Sequence, residues 1–98
     1  MVKVQTKSGF VWNVDEKKAA DWDFVNALVD CEDADNAKRV KASRDAIVLL
    51  LGEDGAAALA EHVKDKNGVR SIANMLTEFR EVLTLLGEKT KKSDSSQG

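Results

Sequence analysis

The stretch Ser71-Ile72-Ala73-Asn74-Met75-Leu76-Thr77-Glu78-Phe79-Arg80-Glu81-Val82-Leu83-Thr84-Leu85-Leu86-Gly87 decides the fold class. Ile72, Met75, Leu76, Phe79, Val82, Leu83 and Leu86 recur at three- and four-residue steps, which gathers them on one side of an α-helix. Ser71 suits the N-cap, where its hydroxyl can accept a backbone N–H of the first turn, and Gly87 suits the C-terminal stop. A helix so one-sided must lay its apolar stripe on other elements, and the rest of the chain is read for them.

Immediately upstream, Asn67-Gly68 breaks the chain. Residues 54–64 form a short Ala-rich pattern with Ala56, Leu59 and Val63 on its stripe. Before it, a helix is expected to start after Asp33 or Asp35 and to end at Gly52, with Val40, Ile47, Leu50 and Leu51 on its buried side. Asp21 is an N-cap candidate for a helix reaching about Cys31, whose Trp22, Val25, Leu28 and Val29 share one face. The segment Asp15-Glu16-Lys17-Lys18-Ala19-Ala20 reads as a short helical turn.

At the N-terminus, Val2-Lys3-Val4-Gln5-Thr6 and Phe10-Val11-Trp12-Asn13-Val14 alternate or carry β-branched and aromatic residues around a Lys7-Ser8-Gly9 turn. They predict a β-hairpin, anchored through Phe10 and Trp12 on one face. A lone hairpin is marginal in water, so that face must lie on the helices or on another chain. From Glu88 onward no apolar residue remains to be buried. The expected architecture is therefore mainly α: an N-terminal β-hairpin followed by about four helices in one domain over residues 1–87, and a disordered tail over 88–98.

With 98 residues, 43% of them apolar and 33% charged, the chain suits one small globular domain. Its 15 basic and 17 acidic side chains leave a net charge of −2, which gives no field to draw the chain onto nucleic acid or an anionic membrane. The single cysteine, Cys31, cannot form a disulfide within the chain, and the cysteine and histidine clusters of metal sites are missing. The first residues lack the apolar run of a secretion signal, and no stretch approaches membrane-spanning length. A cytoplasmic location without a membrane role is expected.

The residues offer little chemistry. Nucleophilic catalysis needs a hydroxyl or thiol beside a base. The only histidine, His62, falls next to the Leu59 and Val63 stripe, as a boundary histidine would. Cys31 ends an acidic helix, where carboxylates oppose thiolate formation. The segment Asp30-Cys31-Glu32-Asp33-Ala34-Asp35-Asn36 resembles a calcium loop only in its oxygen content. Counted from Asp33, the sharp-turn glycine is replaced by Lys38 and the closing carboxylate by Arg44. Capping of helices accounts for these carboxylates. No glycine-rich phosphate loop is present. The expectation is a protein without catalytic residues, metal or cofactor.

Charge and apolar residues outside the core stripes point instead to partners. Residues 15–35 carry a local charge of −6 and residues 36–46 one of +3, which either pairs two antiparallel helices or offers patches of opposite sign for assembly. Ile47-Val48-Leu49-Leu50-Leu51 is apolar all round its helix. Phe24 lies roughly 100° from Val25, and Leu85 about 120° from Phe79. Either a central helix is wrapped by the others, or these residues form a protein-binding patch or an oligomer seam. Phe24, Ile47, Val48, Leu49 and Leu85 are the candidate partner contacts.

Pieces of the sequence also carry a family resemblance. They are Gly9-Phe10 through Val14-Asp15, Asp21-Trp22 with Leu28, and Leu49-Leu50-Leu51-Gly52-Glu53. His62-Val63-Lys64-Asp65, Asn67-Gly68-Val69, and Ser71 with Met75 and Phe79 complete the set. In this order and spacing, over residues 9–86, the chain resembles the small tail assembly chaperones of long-tailed phages and prophages of Gram-positive hosts. Against the family pattern, its second strand is less acidic, and Gly55-Ala56-Ala57-Ala58 stands where bulkier residues are usual. The resemblance implies an all-helical fold after an N-terminal hairpin. It also implies binding of the tail tape measure protein, before the tube polymerises, in the cytoplasm of the bacterial host and outside the mature virion. A longer form made by frameshifting, for which Lys89-Thr90-Lys91-Lys92 is a plausible place, would recruit the tail tube protein. Helix-in-groove contact is the expected mode, with homo-oligomerisation possible.

The alternative reading is a small helical DNA-binding regulator. Residues 54–64 and the last helix would imitate a helix-turn-helix, with Arg70, Ser71, Asn74 and Thr77 toward DNA. The connector is long for that motif, and Glu78 and Glu81 on the would-be recognition helix oppose phosphate contact.

Overall fold

Asp15, Asp21 and Asp35 punctuate the first half of the chain, each with a side-chain oxygen turned back onto backbone N–H groups that a helix start leaves unpaired. Asp15 accepts from Lys17 N–H at 3.0 Å, Asp21 from Asp23 and Phe24 N–H at 3.1 and 3.4 Å, and Asp35 from Ala37 N–H at 2.9 Å. In the computed structural model, which describes residues 1–94 and the side chains of residues 1–89, these caps open three elements. They are a 3₁₀ turn over Glu16–Ala20, helix α1 over Trp22–Asp30 and helix α2 over Asn36–Val63. Strands β1 (Val2–Gln5) and β2 (Val11–Val14) precede them, and helix α3 (Ile72–Asp94) follows.

The described chain thus holds three α-helices where about four were expected, and the difference lies at Gly52. The two helices expected on either side of it run as one element that breaks sharply there. Gly52 has φ 79° and ψ 169°, a backbone region essentially closed to residues with a Cβ. The sequence marks the break correctly; the ends simply stay joined, so the segment after Gly52 changes direction without an intervening loop.

A second difference lies at the C-terminus of the helical domain. Gly87 does not stop α3, which continues to Asp94, so residues 88–94 of the expected disordered tail are helical. Glutamate and lysine are good helix formers and need no core contact to extend a helix already under way. The Lys89 ammonium also donates to the Lys3 carbonyl oxygen, tying the extension to the hairpin. Residues 95–98 of that tail lie outside the described residues.

Strands β1 and β2 pair antiparallel, Val2 opposite Val14 and Val4 opposite Trp12. Alternation sends Val4 and Thr6 of the first arm, and Phe10, Trp12 and Val14 of the second, toward the helices. Val4, Phe10 and Val14 are buried, and Trp12 is half-buried with its ring stacked beside Phe10. They pack into one core with Phe24 and Ala27 of α1, Ala46, Ile47, Leu50, Leu51 and Leu59 of α2, and Phe79, Val82 and Leu86 of α3. Among the described residues no helix is long and apolar enough to cross a membrane.

Candidate functional site

Helix α1 has two apolar faces, and the structure buries the one that the sequence pattern did not select. Phe24 is 1% exposed and sits edge-on against Phe79, with Ala27 buried beside it and Leu28 and Cys31 half-buried on the same core. On the opposite side Trp22 is 79% exposed, Val25 43% and Val29 67%. Three residues expected in the core therefore stand in solvent, and Phe24, a candidate partner contact, is a core residue. Both stripes satisfy helical spacing, and Asp21 fixes where α1 begins without fixing which way it faces. An all-carbon Phe loses nothing polar on burial, whereas a buried Trp must find a partner for its indole N–H.

The run from Ile47 to Leu51 separates in the same way. Ile47 is 2% exposed and Leu50 and Leu51 are buried, because the middle of α2 is covered by its neighbours. Ile47 is thereby corrected to a core position. Val48 is 40% exposed and Leu49 half-buried. Leu49 lines a groove of about 650 Å³ between α1 and α2, with Ala27 and Ala42 on the floor and Asp23, Asn26, Asp30, Asp33, Lys38 and Lys41 around it. Leu85 is half-buried against the core. Ile72, expected on the buried stripe of the last helix, is 42% exposed.

Oppositely charged helices do not pair across that groove. The ion pairs among the described residues join Met1 to Glu16 and Glu61 to both Lys64 and Arg70, while His62 Nε2 lies 4.0 Å from Glu78. None involves the carboxylates of α1 or the basic residues at the start of α2. The acidic and basic segments nevertheless face one another, since Asp23, Asp30, Lys38 and Lys41 line the same groove without closing to ion-pair distance. Asp33 and Asp35 serve locally, accepting from the N–H groups of Asp35 and Ala37. Among the described residues no group of three or more His, Cys, Asp or Glu side chains is arranged to hold a metal ion.

A second cluster was not foreseen. The hairpin turn brings Ser8 Oγ to 2.8 Å from His62 Nε2 and lets it donate to Glu78 Oε1 at 2.6 Å. The buried Thr6 hydroxyl donates to the same oxygen at 2.7 Å and accepts from Phe10 N–H at 3.1 Å. With both hydroxyls donating to the carboxylate, His62 Nε2–H is the donor to Ser8. A catalytic imidazole would instead take the serine proton on Nε2 and be held through Nδ1 by the acid. Here Glu78 lies 4.0 Å from Nε2 itself. The arrangement is a polar clasp: Glu78, together with Glu81 accepting from Lys7 N–H at 2.6 Å, fastens the hairpin turn to α3. No sequence signal short of the folded contact joins residues more than 50 positions apart.

Three of the four side chains considered for DNA contact have partners within the chain. Arg70 donates to Glu61 at 3.0 Å, Ser71 Oγ caps Asn74 N–H at 3.3 Å, and Thr77 donates to the Ala73 carbonyl at 2.9 Å. No family model, curated protein sequence or solved structure matches the chain.

Proposed function

We propose that the protein is a non-enzymatic tail assembly chaperone of a long-tailed phage or prophage. It binds the helical tape measure protein in the host cytoplasm and keeps it soluble until tube subunits arrive. The observation that carries this reading is the solvent-facing apolar stripe Trp22, Val25 and Val29, on a helix whose other side is already in the core. A nine-residue helix needs one apolar face to dock; a second face marks a surface that is covered at another stage. Trp is the residue most often found at the energetic centre of protein interfaces.

The mode of contact is helix against helix. Val48 and Leu49 contribute from α2, with Leu85 a lesser candidate, while Phe24 and Ile47 take no part. A longer frameshifted form would bring the tail tube protein to the complex, and association of the chaperone with itself would use a surface other than the Trp22, Val25 and Val29 stripe.

Co-expression with the tape measure protein encoded beside it should yield a soluble complex that copurifies in stoichiometric amount. A client equally insoluble with and without this chain refutes the proposal.

A further inference from the structure

The exposed stripe of α1 is set in a net acidic environment that says what can cover it: Lys38 and Lys41 line the groove beside α1, but Asp23, Asp30, Asp33 and Asp45 line it too. No lysine or arginine lies between Lys18 and Lys38. Within that interval Asp23, Asp30 and Glu32 are exposed, and among the described residues none of them forms an ion pair. Each lies within three residues of Trp22 or Val29, inside the roughly 8 Å over which charges act on one another at physiological salt. Covering Trp22 and Val29 with a neutral or acidic surface would remove water from around these carboxylates without replacing its stabilisation.

In a two-fold pairing of this stripe with a second copy, the acidic flanks of both helices would come together, a like-charge contact. An anionic membrane is disfavoured for the same reason. The surface fits a polypeptide whose apolar residues are flanked by Lys or Arg. Because Trp22 and Val29 stand two helical turns apart, on one side of a straight helix, a partner helix can run alongside and meet both. We infer that the occupant of the Trp22, Val25 and Val29 stripe is a basic amphipathic helix of another protein. This rests on the chaperone reading above and narrows its client contact to segments of that charge.

The test uses the full chain and two fluorescently labelled helical peptides of about 20 residues. They share a leucine stripe and differ in having only Lys or only Glu at the flanks. Anisotropy titrations should show the Lys-flanked peptide binding at least about ten-fold tighter than the Glu-flanked one. Its affinity should fall about ten-fold or more between low and high salt. Trp22→Ala and Val29→Ser should each weaken it by about ten-fold or more, while Val69→Ser, also at an exposed apolar position, should leave it unchanged.

Equal binding of the two peptides, or full binding by folded Trp22→Ala, overturns the inference. So does a dimer in sedimentation that Trp22→Ala dissolves, since the stripe would then be occupied by a second copy. A chain that passes these peptide tests but leaves the tape measure protein insoluble refutes the phage-tail reading alone.

Discussion

The Phe24 ring meets Phe79 at a centroid distance of 6.4 Å and an interplanar angle of 83°, the edge-to-face arrangement in which the positive rim of one ring faces the negative face of the other. This contact joins α1 to α3 and fixes which side of α1 is inside. Phe24→Ala should cost about 3–5 kcal/mol in urea unfolding, and a cycle with Phe79→Leu should return a coupling of about 0.5–1.5 kcal/mol. Trp22→Ala, two positions away, should stay within about 0.5 kcal/mol of wild type.

Gly52 and Gly87 should respond to alanine with opposite signs. A Cβ at Gly52 would force φ 79° on a residue that strongly avoids it, so Gly52→Ala should destabilise by about 1–3 kcal/mol. Gly87 lies inside α3, and an added Cβ there meets nothing within 4 Å. Gly87→Ala should stabilise by about 0.5–1 kcal/mol, read as a higher midpoint with unchanged slope in denaturant.

Glu78 is buried and accepts from two hydroxyls. Glu78→Ala leaves Thr6 and Ser8 without their acceptor and should cost about 2–3 kcal/mol. Thr6→Val, which also strips Phe10 N–H of its side-chain acceptor, should cost about 1–3 kcal/mol. Thermal melts followed by near-ultraviolet circular dichroism in a Trp22→Phe background, where Trp12 is the remaining tryptophan, should show both as earlier loss of the hairpin environment.

Glu61 has its carboxyl held below the usual carboxylate range, chiefly by the hydrogen bond from Lys64 and its charge, with Arg70 adding a second bond. A carboxyl with a depressed folded-state value stabilises the fold above its ordinary value and loses that contribution as the pH falls through the depressed one. NMR titration of the Glu61 side chain should therefore give a midpoint below that of an exposed glutamate. Lys64→Ala should move the midpoint upward more than Arg70→Ala does. The three side chains lie at the surface, so global stability should barely change with either substitution.

Much of this arrangement is legible in the sequence, and the failures share one cause. The hairpin alternation, the aspartate caps, the break at Gly52 and the long stripe of α3 are local signals, each spelled within a few residues. Which face of α1 turns inward is not local. Trp22-Val25-Val29 and Phe24-Ala27-Leu28 are equally good stripes, and only the presence of Phe79 on another helix chooses between them. Gly87 reads as a stop by residue type, yet a glycine halts a helix only where the backbone takes a positive φ, and here it does not. The clasp of Ser8, His62 and Glu78 draws on three separate elements, so no periodicity announces it. For the binding surface the consequence is an exchange of residues: Phe24 and Ile47 leave, Trp22, Val25 and Val29 enter, and Val48 and Leu49 stay.

The clasp between the hairpin turn and α3 also sets an order of events. Thr6 and Glu78 are 72 positions apart, and Lys7 and Glu81 are 74 apart. A two-stranded hairpin has little stability of its own, and contacts so distant in sequence must await the closure of nearly the whole chain. During synthesis these two contacts therefore form only once Glu78 and Glu81 of the third helix have emerged, whereas the packing of the hairpin on α1 and α2 does not wait for them. Hydrogen exchange should find the Lys7 amide, which donates to Glu81, opening together with α3.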